Sequence, residues 1–517
     1  MRELGIFTDG TICAPATIPG TGAISIIRVS GEDSLAIADK VIDVKGESLS
    51  ETEGYRLRYG TIFADDGSVL DNVIVSVFRA PHSYTGENSV EISCHASRFI
   101  VNAVLELLVN AGARIAAPGE FTRRAFVNGK MDLAQAEAVA DVIASQSAAS
   151  HKVAMNQLKG GFSSELRVLR EKLLTMTSIL ELELDFSEED VEFASRSELG
   201  ALVNEALAHI GRLTDSFSRG NAIKNGVPVA IVGATNTGKS TLLNALLGEE
   251  RAIVSDIAGT TRDTIEETLN LGGIMFRFID TAGIRETDEV VEKIGIERTF
   301  RKLNEASIVL GMTDLSRGED AILADAEYIW DKVNASSSDR EFVLLVNKCD
   351  VNGIESLAAG SGAGFAGTGS GAGYVETGSE AGCAGTGYEA GHAGKAGKMA
   401  RIEAALREKG IVTKMIPISA KTGSGLPELT EALAEIGHRI TGDTDETLVT
   451  NIRHYEALSR AATALGRVRD GLKVATLPPD LIAQDLREAL YHLGEIVGEI
   501  STDEVLGNIF RKFCIGK

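Results

Sequence analysis

Pro228-Val229-Ala230-Ile231-Val232-Gly233-Ala234-Thr235-Asn236-Thr237-Gly238-Lys239-Ser240 is the stretch on which the fold turns. Pro228–Val232 reads as a strand and Thr241–Leu247 as the start of a helix, so a GxxxxGKS pattern lies between strand and helix. In that setting the glycines let backbone N–H groups close around phosphate oxygens, and the helix N-terminus adds positive potential. Lys239 can neutralise β and γ oxygens and Ser240 can ligate magnesium. This is a phosphate loop, which by itself would take ATP as readily as GTP.

Base choice comes from two later strands. Glu341–Val346 leads into Asn347-Lys348-Cys349-Asp350, where a carboxylate at the strand end can accept from both N–H donors on the guanine edge, a pair that adenine lacks. Met415–Ile418 leads into Ser419-Ala420-Lys421, whose backbone N–H and Lys stem suit the guanine oxygen and ring face. Phe276–Ile279 precedes Asp280-Thr281-Ala282-Gly283, placing Asp280 near magnesium and the Gly283 backbone near the γ-phosphate. Thr261, in Gly259-Thr260-Thr261-Arg262-Asp263, is the expected second magnesium hydroxyl. Ras-like proteins place a water-orienting Gln after this glycine; here the residue is Ile284, which cannot position water. Glu286, Asp288, Glu289 and Glu292 are the nearby acidic candidates, against a background in which most such residues are helix-start charge or solvated surface.

The rest of the chain sorts around this centre. A length of 517 residues suggests roughly three or four domains. The composition, 44% hydrophobic and 24% charged, excludes a generally disordered protein. From Ala23 to Ala96 the apolar runs are short and β-branched (Ala23–Val29, Val73–Phe78, Val90–Ser93), and Phe99–Ala111 has helical spacing. These predict a mixed α/β domain over residues 1–120. Ala/Leu/Glu-rich helical patterns run from Asp132 to about Asp185 and return after Thr450 to Ile500. Between them, residues 219–445 alternate strands and helices as a doubly wound sheet does. The expectation is an α/β multidomain protein with a G domain (219–445) inserted into one helical domain made of 121–218 and 446–517; two separate helical domains are the alternative. Residues 351–400 are low-complexity and glycine-rich, with Ala363–Gly369 nearly repeated at Ala381–Gly387, and read as a mobile loop.

A formal charge of −23 argues against nonspecific coating of nucleic acid, which draws on clustered Lys and Arg. The small basic clusters, Arg123-Arg124 with Lys130 and Arg511-Lys512, read as solvated surface. Five scattered cysteines suggest neither a disulfide framework nor a zinc site. With no apolar run of membrane length and no signal-peptide pattern at the N-terminus, the expected location is cytoplasmic.

Three further segments carry a resemblance: Ile253-Val254-Ser255-Asp256-Ile257-Ala258-Gly259-Thr260-Thr261-Arg262-Asp263, the run from Phe121-Thr122-Arg123-Arg124 to Gln135-Ala136-Glu137-Ala138, and the tail Phe513-Cys514-Ile515-Gly516-Lys517. With these the chain resembles the MnmE (TrmE) family of tRNA-modifying GTPases, in the TrmE-Era-EngA-EngB-Septin-like superfamily, over nearly everything but the glycine-rich insertion. The resemblance implies GTP contacts by Asn236, Thr237, Gly238, Lys239, Ser240 and Thr241, by Ser255–Thr261, by Asp280–Gly283, and by Asn347, Lys348, Asp350, Ser419, Ala420 and Lys421. It implies Mg2+ on Ser240 and Thr261, Glu292 as the water-orienting carboxylate, and K+ held by Asn236 with carbonyls of Ser255, Ile257 and Thr260. The family usually has Thr where this chain has Ser255, a change of little weight for a carbonyl ligand. It also implies a homodimer through the N-terminal domain, which would bind a tetrahydrofolate derivative (5-formyl or methylene form) with Arg28, Glu91, Lys130 and Lys517. A pterin edge suits Glu91, and an acidic folate tail suits Arg and Lys. Cys514, with no His nearby in sequence, stays outside the catalytic set.

Family members act with an FAD-dependent partner, MnmG (GidA), in a heterotetramer or larger assembly, to add an aminomethyl or carboxymethylaminomethyl group at carbon 5 of the wobble uridine of certain tRNAs. Nothing in the chain looks like a flavin site, so FAD belongs to the partner. The competing expectation is a regulatory GTPase that acts as a timer in ribosome or RNA assembly.

Overall fold

The computed structural model describes residues 10–185, 196–250, 267–279, 306–334, 340–352, 389–411, 414–442, 446–474, 478–500, 503–511, 513 and 516. These fall into two compact units. One comprises Met1–Ser145, His151–Phe217 and Asp445–Lys517, and the other Gln146–Ser150 with Ser218–Thr444.

The first unit begins with a seven-stranded sheet in the order β3-β4-β5-β6-β2-β1-β7, built from β1 (Ile12–Pro15), β2 (Ile24–Ser30), β3 (Ile42–Val44), β4 (Arg56–Phe63), β5 (Val69–Phe78), β6 (Ser89–His95) and β7 (Arg114–Ile115). All neighbours are antiparallel except β1 and β7. Alternation sets which face is buried: Val73, Val75 and Val77 of β5 point inward with Val90, Ile92 and Cys94 of β6, against Leu35 and Ile37 of helix Ser34–Val41 and Val104 and Leu108 of helix Arg98–Asn110. Strand β4, Arg-Leu-Arg-Tyr-Gly-Thr-Ile-Phe, is not singled out by its composition. Its Gly60 sits where a Cβ would meet Ile42 Cγ2 at 2.5 Å, so β3 can pair beside it.

Helices then take over. Leu133–Ala144 starts at a capping box, in which Asp132 Oδ1 accepts the Gln135 N–H and Gln135 Oε1 accepts the Asp132 N–H; such a cap contributes about 1 kcal/mol. Helices Gly161–Asp185, Arg196–Asp215, Ile452–Leu472 and Pro479–Val497 share one core, so sequence segments on both sides of the α/β unit build a single helical layer. The buried set Ala457, Leu458, Ala461, Ala464, Leu465 and Val468 recurs at three and four residues, the stripe of a helix buried on one side.

A buried ion cluster ties this layer together. Glu137 accepts from Arg453 Nε and Nη2, both at 3.0 Å, and meets His454 Nε2 at 2.7 Å, while Arg453 also donates to the carbonyls of Glu495 and Ile496. His454 stacks on Phe162 with ring centroids 5.2 Å apart. Burial alone would raise the Glu137 carboxyl, but His454 and Arg453 outweigh it and hold it at about 2. Glu120, between Arg114 and Arg124 and only 1% exposed, is likewise brought to about 2: burial raises it, and the Arg114 pair, the Ala117 N–H and the Arg124 charge lower it further.

The second unit carries a six-stranded sheet, β13-β12-β11-β8-β10-β9, from β8 (Val227–Gly233), β9 (Glu267–Leu271), β10 (Ile274–Ile279), β11 (Ile308–Asp314), β12 (Glu341–Asn347) and β13 (Lys414–Pro417). Only β9 is antiparallel to its neighbour. Helices Lys239–Glu250 and Leu426–Thr441 cover one face, and Glu319–Asn334 and Glu389–Glu408 the other. This is the doubly wound arrangement, with binding loops at the carboxyl ends of the parallel strands. Residues 353–388 lie outside the described residues, and the last part of the glycine-rich stretch belongs to helix Glu389–Glu408 rather than to a loop. Among the described residues no helix is long and apolar enough to cross a membrane.

Removing the Glu137 charge leaves Arg453 and His454 without their carboxylate, and breaking such a buried cluster costs about 3–5 kcal/mol. Glu137→Gln is therefore expected to lower the unfolding temperature of the helical unit markedly. The sign with pH follows from the depressed values: Glu137 and Glu120 contribute stability in full above their ordinary value of 4.5, and this is lost as pH falls from there toward 2. Thermal unfolding between pH 7 and pH 3 should show a smaller acid loss in Glu137→Gln than in the unsubstituted chain; an equal loss in both would remove Glu137 from the account.

Candidate nucleotide-binding site

At the end of β8 the chain turns into the phosphate loop. Gly233 lies so close to β11 that a Cβ would meet the Met312 carbonyl oxygen at 2.2 Å. Asn236 takes φ +62° and Gly238 φ +101°, left-handed conformations of the kind from which anion-binding nests are built. Lys239 Nζ donates to the carbonyls of Gly233 and Ala234, both at 2.9 Å, which holds its ammonium over the loop; burial lowers its pKa. Thr237 Oγ1 donates to the Ala234 carbonyl, and the Leu242 N–H to the Gly238 carbonyl, closing the first helical turn.

Asn347 at the end of β12 connects this loop to the base loops. It is 3% exposed; its Nδ2 donates to the Thr237 carbonyl at 2.7 Å, and its Oδ1 accepts the Ala420 N–H at 3.0 Å. A Cβ on Gly238 would meet Asn347 Nδ2 at 2.4 Å, so the glycine is needed for close approach as well as for its φ. Asp350 Oδ1 accepts from Ser419 Oγ at 2.8 Å, and the Cys349 N–H donates to the Ile418 carbonyl. Ser419 in turn is held by the Ser424 carbonyl, and the Gly423 N–H donates to the Ser419 carbonyl. Asn236–Thr241, Asn347, Lys348, Asp350 and Ser419–Lys421 are thus carried on one sheet edge, as parallel strands in this order require. Ser255–Thr261, Asp280–Gly283 and Glu292 lie outside the described residues.

In the first unit, Arg28 of β2 and Glu91 of β6 are directly opposite across the strands and form a two-point pair, Nε to Oε1 at 2.9 Å and Nη2 to Oε1 at 2.8 Å. The Arg28 guanidinium lies 5.1 Å from the Tyr84 ring centroid and 5.6 Å from that of Phe121, and its Nη1 donates to the Gly516 carbonyl at 3.4 Å. Lys130 Nζ donates to the Pro81 carbonyl at 3.0 Å, on the same loop that carries Tyr84. Lys517 lies outside the described residues; Gly516 is packed so tightly that a Cβ would meet the Pro15 carbonyl oxygen at 2.0 Å.

One basic cluster is corrected. Arg124 is not solvated surface: it is 8% exposed and bonded to Glu87, Glu120 and the Gly10 carbonyl. Glu120, four residues earlier on the same helix, was the visible sign of it. Tyr84, which flanks Arg28, and Asp314, which meets Lys348, carry no motif; Phe121, on the other side of Arg28, opens the run that ends at Ala138, but nothing in that run assigns it to Arg28.

A doubly wound sheet with a phosphate loop after its first strand, stapled to Asn-Lys-Cys-Asp and Ser-Ala-Lys loops, defines a P-loop GTPase fold. A family model described as "MnmE helical domain" matches residues 133–514, and one described as "GTP-binding protein TrmE N-terminus" matches residues 11–130. The tRNA modification GTPase MnmE of Parabacteroides distasonis is 48% identical over 510 residues, covering 98% of this chain and 100% of that protein. That of Bacteroides thetaiotaomicron is 49% identical over 509 residues (98% and 99% covered), and that of Porphyromonas gingivalis 46% over 521 (100% and 100%). The chain belongs to the MnmE family of tRNA modification GTPases and is a GTP-hydrolysing enzyme.

Asn347→Ala removes both bonds of the staple and leaves the Thr237 carbonyl and the Ala420 N–H buried without it, each at a cost of about 1–3 kcal/mol. GDP affinity, read by calorimetric titration, is expected to fall by ~100-fold or more. A loss within about twofold would mean that the two loops hold their places without Asn347.

Proposed function

We propose that this chain couples GTP hydrolysis to modification of the wobble uridine of certain tRNAs. With an FAD-dependent partner of the MnmG (GidA) class, it would add an aminomethyl or carboxymethylaminomethyl group at carbon 5, using a tetrahydrofolate one-carbon unit. The observation that carries the reading is the Asn347 staple, which joins phosphate and base loops in a chain that family members match end to end.

Several residues fit this chemistry. Ser240, second in helix Lys239–Glu250, suits a magnesium ligand beside the β-phosphate, with Thr261 as the second hydroxyl. Asp350, oriented by Ser419, suits the two N–H donors of guanine. In the hydrolytic step Lys239 neutralises phosphate charge and Glu292 orients water. A potassium ion held by Asn236, with carbonyls of Ser255, Ile257 and Thr260, would supply the positive charge that an arginine finger gives elsewhere.

The N-terminal domain is the proposed folate site and homodimer interface. Arg28 lies against the Tyr84 and Phe121 rings and is paired to Glu91, a guanidinium–carboxylate surface for a ligand with both a donor-rich ring edge and an acidic tail. Lys130 and Lys517 would add charge for that tail. The C-terminal tail's contact with Arg28 through Gly516 favours this reading over a timer in ribosome or RNA assembly, which has no use for such a surface. The proposed location is the cytoplasm, where tRNA and both partners meet.

Two outcomes are expected. Nucleoside analysis of bulk tRNA from cells lacking this chain should show loss of the aminomethyl-type wobble uridines, and their persistence at normal level would refute the reading. Hydrolysis should run ~10-fold or more faster in potassium than in sodium at equal ionic strength, a difference that vanishes in Asn236→Ala. Equal rates in the two salts would transfer the charge-stabilising role to a side chain such as Arg262.

A further inference from the structure

The loop that follows β11 holds a contact that no nucleotide motif assigns. Asp314 closes β11 in register with Asn347, and its side chain is 10% exposed. Its Oδ2 accepts from Lys348 Nζ at 2.7 Å, its Oδ1 accepts the Ser316 N–H at 2.8 Å, and the adjacent Leu315 N–H donates to the Asn347 carbonyl at 3.0 Å. Burial would raise the Asp314 carboxyl, but the Lys348 and Ser316 bonds more than offset it and lower it from its ordinary value.

Lys348 itself has φ +65°, a conformation that an L side chain keeps only where its surroundings over-determine it. On one side the chain is fixed by the two bonds of Asn347; on the other, the Lys348 ammonium is tied to Asp314. Two residues beyond the left-handed turn, Asp350 meets Ser419. Relaxation of Lys348 toward negative φ would rotate the next peptide and swing Asp350 off that line. The anchoring loop is also clamped from outside. Lys398 Nζ donates to the carbonyls of Leu315 at 3.1 Å and Arg317 at 2.8 Å, and Arg401 grips both carboxylate oxygens of Glu319, at 3.2 and 2.5 Å.

We propose that Asp314 is a positioning residue for base recognition, which holds Lys348 in its left-handed conformation and thereby aims Asp350 at the guanine edge. The inference rests on the reading that Asp350 selects guanine. A carboxylate that merely finished a strand would support all nucleotides equally, whereas one that aims Asp350 supports those with the full pair of N–H donors. Inosine nucleotides lack the exocyclic amine and so lose one of the two bonds to Asp350 whatever its aim.

The test uses the full chain and calorimetric titration with GDP and IDP. Asp314→Asn keeps the shape and the Ser316 bond while removing the charge. It should weaken GDP by ~10-fold and IDP, which has only the ring N–H bond to lose, by about threefold, lowering the GDP-to-IDP preference. In a Lys348→Gly background, where glycine takes φ +65° without strain, adding Asp314→Asn should change GDP affinity by less than about twofold. If Asp314→Asn does not fold, Lys398→Ala slackens the same loop without touching Asp314, and should lower the preference by a smaller factor. Equal loss of GDP and IDP, a full further loss in the glycine background, or an unchanged preference in both loop variants overturns the assignment. Asp350→Asn with XDP separates the two readings: if xanthine binding is not gained, base selection by Asp350 fails, and if it is gained while Asp314→Asn leaves the preference intact, only the role of Asp314 fails.

Discussion

The Asn347 amide uses both its ends, and each end holds a different loop. Its nitrogen donates to Thr237 in the phosphate loop and its oxygen accepts from Ala420 beside the last strand. Buried amides are costly unless both groups are satisfied, so the three segments are fixed as one object. Much of the local sequence follows from that requirement. Gly238 lacks a Cβ because one would sit 2.4 Å from the amide nitrogen, and Gly425 lacks one because it would sit 2.2 Å from the Pro417 carbonyl oxygen. The almost wholly buried strands β11 and β12 supply the rigid platform. A nucleotide that bridges such loops binds a preorganised site, and little ordering cost is left to the binding step.

The other unit relies on a second kind of constraint, buried carboxylates surrounded by more than one cation. Glu137 links three helices through Arg453 and His454, and Glu120 links β7 to the helix Glu120–Val127 through Arg114 and Arg124. Both arrangements compensate desolvation by several hydrogen bonds at once, which a single exposed ion pair does not do. Arg124 also reaches Glu87, on the loop that carries Tyr84 and hence flanks Arg28. The fold of the N-terminal sheet and the surface around Arg28 are therefore set by the same cluster.

The parallel strands of the G domain were legible because strands buried on both faces read as unbroken apolar runs, each ending in a motif. Glu341–Asn347 extends the expected strand by one residue, and Val227–Gly233 brackets the expected Pro228–Val232. Helix Lys239–Glu250 begins inside the motif rather than after it, since the Gly238 carbonyl already accepts a helical bond. Helix Arg196–Asp215 lies beyond the expected helical run ending near Asp185, although Leu199, Val203, Ala206, Ile210 and Leu213 carry the same three-and-four spacing as its neighbours. The Asp314–Lys348 pair was not legible, because it depends on the register of β11 against β12, and register is a property of the sheet. For Arg124 only the i,i+4 partner Glu120 is visible in sequence; Glu87, which completes its burial, lies 37 residues away. The roles carried by Ser255–Thr261, Asp280–Gly283, Glu292 and Lys517 fall outside the described residues and stand as proposals.

The phosphate loop alone does not choose a base, so it is the stapled base loops that must make this a site for guanine nucleotides in particular. Calorimetric titration of the full chain with GDP and ADP, each with magnesium, tests it most directly. GDP should bind with micromolar or tighter affinity, on the order of 8 kcal/mol, and with a preference over ADP of ~100-fold or more. Equal affinities for the two would contradict it.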